Sequence, residues 1–163
     1  MIILNEAQIK AWDAYTIAKG ISSLALMEQA AVAVTDKLDL LLGEEDQEVL
    51  IICGNGNNGA DGLAIARLLL DMDYLVDVFV SLEGDHTPEW KANYERLMNQ
   101  DPEQLEIHTV WNPEEIELST SGTIVDAMFG TGLKRPIDGK WLEITNWVNE
   151  QSNLTVAIDM PSG

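Results

Sequence analysis

The sequence predicts an α/β fold: a doubly wound, mainly parallel sheet with helices on both faces, giving three layers α/β/α. Three observations lead there. Short apolar or β-branched runs alternate with helical patterns from "EVLIIC" at residue 48 to "LTVAID" at residue 154, the punctuation of βαβ units. The first of these runs passes directly into "GNGNNG" ahead of a helical stretch, as at a nucleotide-binding strand, turn and helix. Finally, 163 residues with 46% hydrophobic content suit one domain, large enough to bury roughly 70% of the surface its unfolded chain exposes.

Taken in order, Asn5 with Gln8 forms a capping-box opening for a first helix that carries Ile9, Trp12 and Ile17 on one side, and Gly20 can stop it. Ser23 is expected to cap a second helix. There Met27, Ala30, Ala31, Val34, Leu38 and Leu41 recur at three- and four-residue spacing before Gly43, the period of one apolar helical face. The strands follow as "EVLIIC", "YLVDVFVS", "LEIHTV", "TIVDAMF" and "LTVAID". Between them fall a helix from Asp61, one opening at Thr87-Pro88, a short one at Asn112-Pro113 and one containing Leu142, Ile144 and Val148; proline suits a first helical turn, where its missing N–H is not needed. Strands of this apolar kind are buried on both faces by crossover helices, and such a sheet binds ligands beyond the carboxyl ends of its strands. No linker, low-complexity tract or fixed-period repeat interrupts the pattern.

Charge narrows the partners. With 28 acidic and 9 basic residues the formal net charge is −19, and no basic stripe exists for a nucleic-acid backbone, which argues against nucleic acid as a ligand. A phosphate-bearing ligand would approach against a repulsive field and would need local attraction from backbone N–H groups or a few well-placed bases. The acid-rich stretches "GEEDQE" and "DPEQLE" are expected to solvate loops. No apolar run reaches the ~18 residues of a membrane span, and "MIIL" is too short and uncharged to open a signal peptide. A cytoplasmic location without membrane attachment is therefore expected. The single cysteine, Cys53, excludes an internal disulfide, and with only His86 and His108 beside it there is no thiolate or imidazole cluster for zinc. Any metal is expected to be held by oxygen.

Polar residues gather at three strand ends. In "ICGNGNNGADG", Gly54, Gly56 and Gly59 satisfy G-x-G-x-x-G, where glycines allow close backbone approach and a helix start offers N–H groups to an anion. The fingerprint also asks for an acid at the end of the next strand, yet "VFVS" ends at Ser81, with Glu83 only a loop candidate. In "IVDAMFGTGLKRP", Asp126 lies within an otherwise apolar strand, so its carboxylate must be paired, bound to a cation or hydrogen-bonded to backbone N–H groups of an adjacent loop. Gly130-Thr131-Gly132 then makes a second tight turn, and Lys134 with Arg135 places two bases side by side, for a phosphate or as a solvated loop pair. In "AIDMPSG", Asp159 closes a strand and Pro161 forbids a central strand from continuing; taken alone, Asp159 serves equally well as a cap for the next turn. Asn58, Asp126 and Ser162 together offer hard oxygen ligands, which suit an alkali or alkaline-earth cation.

"GNGNNGADGLAIARLL", "VDAMFGTGLKRPIDG" and "IDMPSG", in this order and spacing, resemble the amino-terminal YjeF domain family of NAD(P)H-hydrate epimerases. "AQIKAWDAYTIAKGISSLALMEQAA" is similar to the family's first two helices. Ala60, where the family mostly has glycine, and Met160, where it mostly has isoleucine, are small apolar departures. The resemblance implies a Rossmann-like homodimer that interconverts the R and S forms of hydrated NADH or NADPH (NADHX, NADPHX), so that a separate or fused ADP- or ATP-dependent dehydratase can restore the cofactor. Carried over by position, Asn57, Asn58, Gly59, Ala60 and Asp61, then Gly130, Thr131, Gly132, Leu133, Lys134, Arg135 and Pro136, and finally Asp159, would line the hydrate site. Asn58, Asp126 and Ser162 would hold a potassium ion.

The hydrate carries a hydroxyl on the ring carbon next to nitrogen. The nitrogen lone pair can expel it and water can return to the opposite face, and Asp159 is the candidate to pass the proton. Ring opening and closure at the same carbon is the other route. The family domain continues past "PSG" with further strands, so residues 1–163 are expected to form a single domain of this type, incomplete at its C-terminus. Two other functions remain open at this point: a non-catalytic nucleotide-binding or protein-interaction module of the same fold, and a conventional NAD(P)-dependent oxidoreductase.

Overall fold

The computed structural model describes residues 5–42, 48–100 and 103–163. Its five strands, β1 (Glu48–Cys53), β2 (Leu75–Val80), β3 (Leu105–His108), β4 (Thr123–Ala127) and β5 (Leu154–Ala157), pair in the order β3-β2-β1-β4-β5, all in parallel. The most apolar runs take the middle. Val49 to Cys53 and Thr123 to Ala127 are buried throughout, which requires cover on both faces. Alternation divides the strand residues between two cores. Val49, Ile51, Cys53, Val76, Val78 and Ala127 face α2 (Ser23–Leu42), α3 (Asn57–Leu70) and α4 (Pro88–Met98), while Leu50, Ile52, Phe79 and Ile124 face α5 (Gly139–Glu150).

The topology places the site. From β1 the chain steps outward through α3, β2 and α4 to β3, then returns to β4 on the other side of β1 and continues through α5 to β5. The loops after β1 and β4 therefore diverge, and the crevice between them is the topological switch point where doubly wound sheets bind ligands.

Local signals set most element starts. The capping box of α1 (Glu6–Ala18) forms, with Gln8 N donating to Asn5 Oδ1 at 3.0 Å and Asn5 N to Gln8 Oε1 at 2.9 Å. Gly20 follows at φ +96°, where only glycine is unstrained. Thr87 Oγ1 caps α4 by accepting from Trp90 N, and Asn112 caps a short 3-10 turn, Pro113–Glu115.

Other starts differ from expectation. Ser22, not Ser23, caps α2 by accepting from Ala25 N, because Ser23 Oγ turns to Glu89 Oε1 of α4 at 2.5 Å. The buried row of α2 is Met27, Ala31, Thr35, Leu38 and Leu42, whereas Leu41 is 58% exposed; the stripe keeps its four-residue step from Leu38 and skips Leu41. The expected stop at Gly43, and parts of both acid-rich stretches, lie outside the described residues. Helix α3 starts at Asn57, four residues before Asp61. Ile9, Trp12 and Ile17 of α1 remain exposed instead of entering a core. Among the described residues no helix is long and apolar enough to cross a membrane.

Candidate functional site

A cleft of ≈ 960 Å³ opens at the switch point, at the upper end of the usual size for small-molecule sites. Its floor is held by close backbone packing. Gly54 N donates to Ala127 O at 3.0 Å, tying the loop after β1 to the end of β4. A Cβ on Gly54 would overlap Met128 O, and one on Gly59 would overlap Gly54 O, so both approaches demand glycine. That contact explains the early start of α3: without a Cβ at Gly59, the first helical turn can press onto the glycine loop. Helix α4 braces both the loop and the first turn of α3, with Trp90 Nε1 donating to Gly54 O at 2.9 Å and Asn93 Nδ2 to Ala60 O at 3.1 Å. Gly56, the N-cap of α3, supplies no side-chain cap, which leaves first-turn N–H groups for an anion.

The second wall is the turn after β4. Thr131 N donates to Asp159 Oδ2 at 2.8 Å, and a Cβ on Gly130 would collide with that carboxylate oxygen. Glycine here thus lets the turn close on Asp159. Across the cleft stands Asp61, whose pKa is raised to about 7, first by burial and then by the negative charge of Asp159. A carboxyl that titrates near neutrality can both give and take a proton. Asn58 reaches over to the same turn, its Nδ2 donating to Phe129 O at 2.9 Å.

Asp126 has the neutral donors that its burial demands. Its Oδ1 accepts from Met128 N at 3.1 Å and from Ser162 Oγ at 2.8 Å, and its Oδ2 accepts from Ser162 N at 2.7 Å. Ser162 is brought to it because β5 pairs with β4, placing Ala157 beside Asp126. An ionised carboxylate offers about four acceptor positions, of which these bonds use three. Among the described residues no cationic side chain lies within ion-pair distance of it.

Most of the expected residues converge. Asn57, Asn58, Asp61, Gly130, Thr131, Gly132, Leu133, Arg135, Pro136 and Asp159 line the cleft. Gly59 and Ala60 do not; they are buried beneath it, serving the loop's packing. Lys134 is exposed and is not among the lining residues, so only Arg135 of that pair faces the cleft. Asp126 and Ser162 lie under the floor, bonded to each other.

Residues 23–163 match the family described as YjeF-related protein N-terminus. The chain belongs to that family. Among curated relatives, an NAD(P)H-hydrate epimerase of Limosilactobacillus reuteri is 35% identical over 99% of this chain and 74% of its own length. One of Oenococcus oeni is 38% identical over 99% and 75%. A bifunctional NAD(P)H-hydrate repair enzyme of Thermofilum pendens is 34% identical over all of this chain and 32% of its own. In fold, the chain is similar to the crystal structure of yeast ynu0, with a TM-score of 0.71 over 95% of this chain and 70% of that one, at 23% identity.

The YjeF-family cleft also contains residues that sequence reading left out. Asn55 lines it, with Nδ2 donating to Glu83 O at 2.6 Å and Oδ1 buried without a partner among the described residues. Glu83 lines it as well, and Lys140 Nζ secures that loop by reaching Glu83 Oε2 at 3.3 Å and Ser81 Oγ at 3.1 Å. Lys10 of α1 and Ala30 and Val34 of α2 close the far side. The asparagine was visible within the glycine motif. The sequence offers Glu83 as a loop candidate, and the others depend on how distant segments pack, for which the sequence holds no local signal.

Proposed function

We propose that the protein is an NAD(P)H-hydrate epimerase, interconverting the R and S forms of hydrated NADH and NADPH. The observation that carries this reading is the carboxyl pair: Asp61, neutral up to about pH 7, beside negatively charged Asp159 in a dinucleotide-sized cleft. The curated relatives named for this activity support it. A non-catalytic module of the same fold has no use for a carboxyl held near neutrality in its cleft.

The pair supplies both halves of the proton chemistry. Neutral Asp61 gives its proton to the ring hydroxyl as the nitrogen lone pair expels it, so that the C–O bond breaks and water leaves. Water then adds to the opposite face of the resulting iminium carbon and loses its proton to Asp159. Returning the proton from Asp159 to Asp61 resets the site, and the reverse sequence runs from the other epimer. Thr131 N fixes Asp159 through its bond to Oδ2. Arg135 and the first-turn N–H groups of α3 attract the phosphates against the chain's negative field.

Asn58, Asp126 and Ser162 fit a potassium ion. All three offer oxygen, Asp126 keeps one acceptor position, and Asn58 commits Nδ2 to Phe129 so that Oδ1 is left for a ligand. Such an ion would supply a positive charge at these oxygens. The reading also carries a cytoplasmic homodimer, for which the exposed Ile9, Trp12 and Tyr15 of α1 offer apolar surface, and a dehydratase partner. The relative named as bifunctional, only 32% of which is matched, supports a fused arrangement in some members.

The test is direct. Purified R-hydrate of NADPH incubated with the protein should reach an R/S mixture faster than in a protein-free control, with no net oxidation or reduction, as resolved by chromatography. Equal rates with and without protein would refute the proposal.

A further inference from the structure

Away from the cleft, at the outer edge of the sheet, β3 pairs with β2 so that Glu106 lies beside Asp77 and His108 beside Phe79. Residues two apart on a strand share a face. The register therefore brings Asp77, Glu106 and His108 to one side of the sheet, the side that carries Phe79, and none of the three lines the cleft. One ligand atom from each lies within 4.8 Å of the others. His108 Nε2 stands 3.9 Å from Glu106 Oε1 and 4.0 Å from Asp77 Oδ2, too far for a hydrogen bond to either. Yet the His108 side chain is only 10% exposed, and Nε2 is buried with no hydrogen-bond partner among the described residues. A buried ring nitrogen aimed at two carboxylates that it does not touch leaves a gap of defined size.

We propose that Asp77, Glu106 and His108 bind a divalent transition-metal ion, with zinc the best fit, and that the ion pins edge strand β3 to β2. The spacing agrees: ligand atoms about 2.1 Å from a tetrahedral zinc sit ~3.4 Å apart, so His108 Nε2 needs to close on each carboxylate by only about half an ångström, and no pair of ligand atoms, all within 4.8 Å of one another, by more than about 1.4 Å. The donor set agrees as well. One imidazole nitrogen with two carboxylate oxygens favours zinc, cobalt or nickel over magnesium or calcium, which take oxygen. Two carboxylates balance a divalent charge, and Glu48 and Glu117 lie close enough to act on Asp77 and to add further negative potential. Three protein ligands leave a fourth position for water. His86, the other histidine of the chain, already has its Nε2 on Ser81 O at 2.8 Å.

The site was hidden from the sequence, which suggests oxygen-only metal ligation, because its ligands meet only through strand register. It is independent of the epimerase reading, and its test measures no activity. The protein, stripped with a chelator and freed of it, is titrated with zinc while its melting temperature is followed, and with cobalt while its visible absorption is followed. We expect zinc to raise the melting temperature by several degrees at concentrations well above Kd, and cobalt to show the intense d–d bands of a tetrahedral site. Glu106→Gln, at a side chain 69% exposed, keeps the fold and should weaken zinc binding by at least about 10-fold, the lower end of what outer-shell changes typically cost. His108→Asn should abolish the cobalt bands. No zinc stabilisation of the parent, or equal zinc stabilisation in the parent and Glu106→Gln, would overturn the proposal. Unchanged cobalt bands in His108→Asn would do the same.

Discussion

The switch point and the outer edge of the sheet both gather acids, some buried and some exposed, but hold them by different means. At the switch point the partners are neutral donors from loops: Thr131 N on Asp159, and Met128 N, Ser162 N and Ser162 Oγ on Asp126. These neutral donors hold the carboxylates in place without an ion pair. At the edge, Asp77 meets other side chains, Glu106 and His108, across a strand register, and no hydrogen bond joins them. The difference separates a site shaped for chemistry on a bound molecule from one shaped for a small cation. It also explains why Asp61 and Asp77 are both raised, to about 7 and about 6, yet receive different roles: burial dominates in each, but Asp61 faces the cleft.

The comparison breaks first at Asp159. Asp159→Asn keeps the shape and removes the charge, so it should bind the hydrate while losing roughly 100-fold or more in kcat, the scale of one acid or base. Wild-type turnover in that variant would take Asp159 out of the proton chemistry. Next comes Arg135. Because it lines the cleft and Lys134 does not, Arg135→Ala should cost ~1–3 kcal/mol of nucleotide binding, as expected for charge-assisted contacts, while Lys134→Ala costs far less in the same calorimetric titration. Equal losses would assign both bases to a general field.

The third difference concerns cations. Asp126→Asn should lose the thermal stabilisation that potassium gives the parent, and Glu106→Gln should keep it. Potassium stabilising Asp126→Asn as much as the parent would remove Asp126 from the ion's shell. The fourth difference is in pH. A carboxyl with folded pKa near 7 and unfolded pKa near 3.8 holds an extra proton in the folded state between those values, so folding stability falls as pH rises from about 4 to about 7 and levels off above. Urea unfolding across this range should show a shallower fall in Asp61→Asn than in the parent. The same carboxyl predicts that kcat declines above about pH 7, as Asp61 loses the proton that it donates.

What the sequence made legible was whatever acts over a few residues or violates a local pattern. The Asn5–Gln8 box and the Thr87-Pro88 start were readable because cap and partner lie three residues apart. Asp126 was readable because a lone acid in an apolar strand demands donors, and the structure supplies them. The start of α3 was misplaced because glycines read as loop, whereas Gly59 is there to let a helix touch Gly54. Glu83 was legible only as a loop candidate, and Lys10 and the Asp77–His108 pairing were not legible, since each depends on which distant segments meet. So did the fate of α1, whose apolar residues stay outside the core of this chain.

Epimerisation in water enriched in heavy oxygen bears most directly on the central claim, that Asp61 and Asp159 exchange the ring hydroxyl of a bound hydrate with water. R-hydrate of NADPH should approach the R/S equilibrium in a protein-dependent manner, and the S-hydrate formed should carry one oxygen from the solvent. The Asp159→Asn variant should slow both together. Equilibration no faster than in the protein-free control would contradict the account.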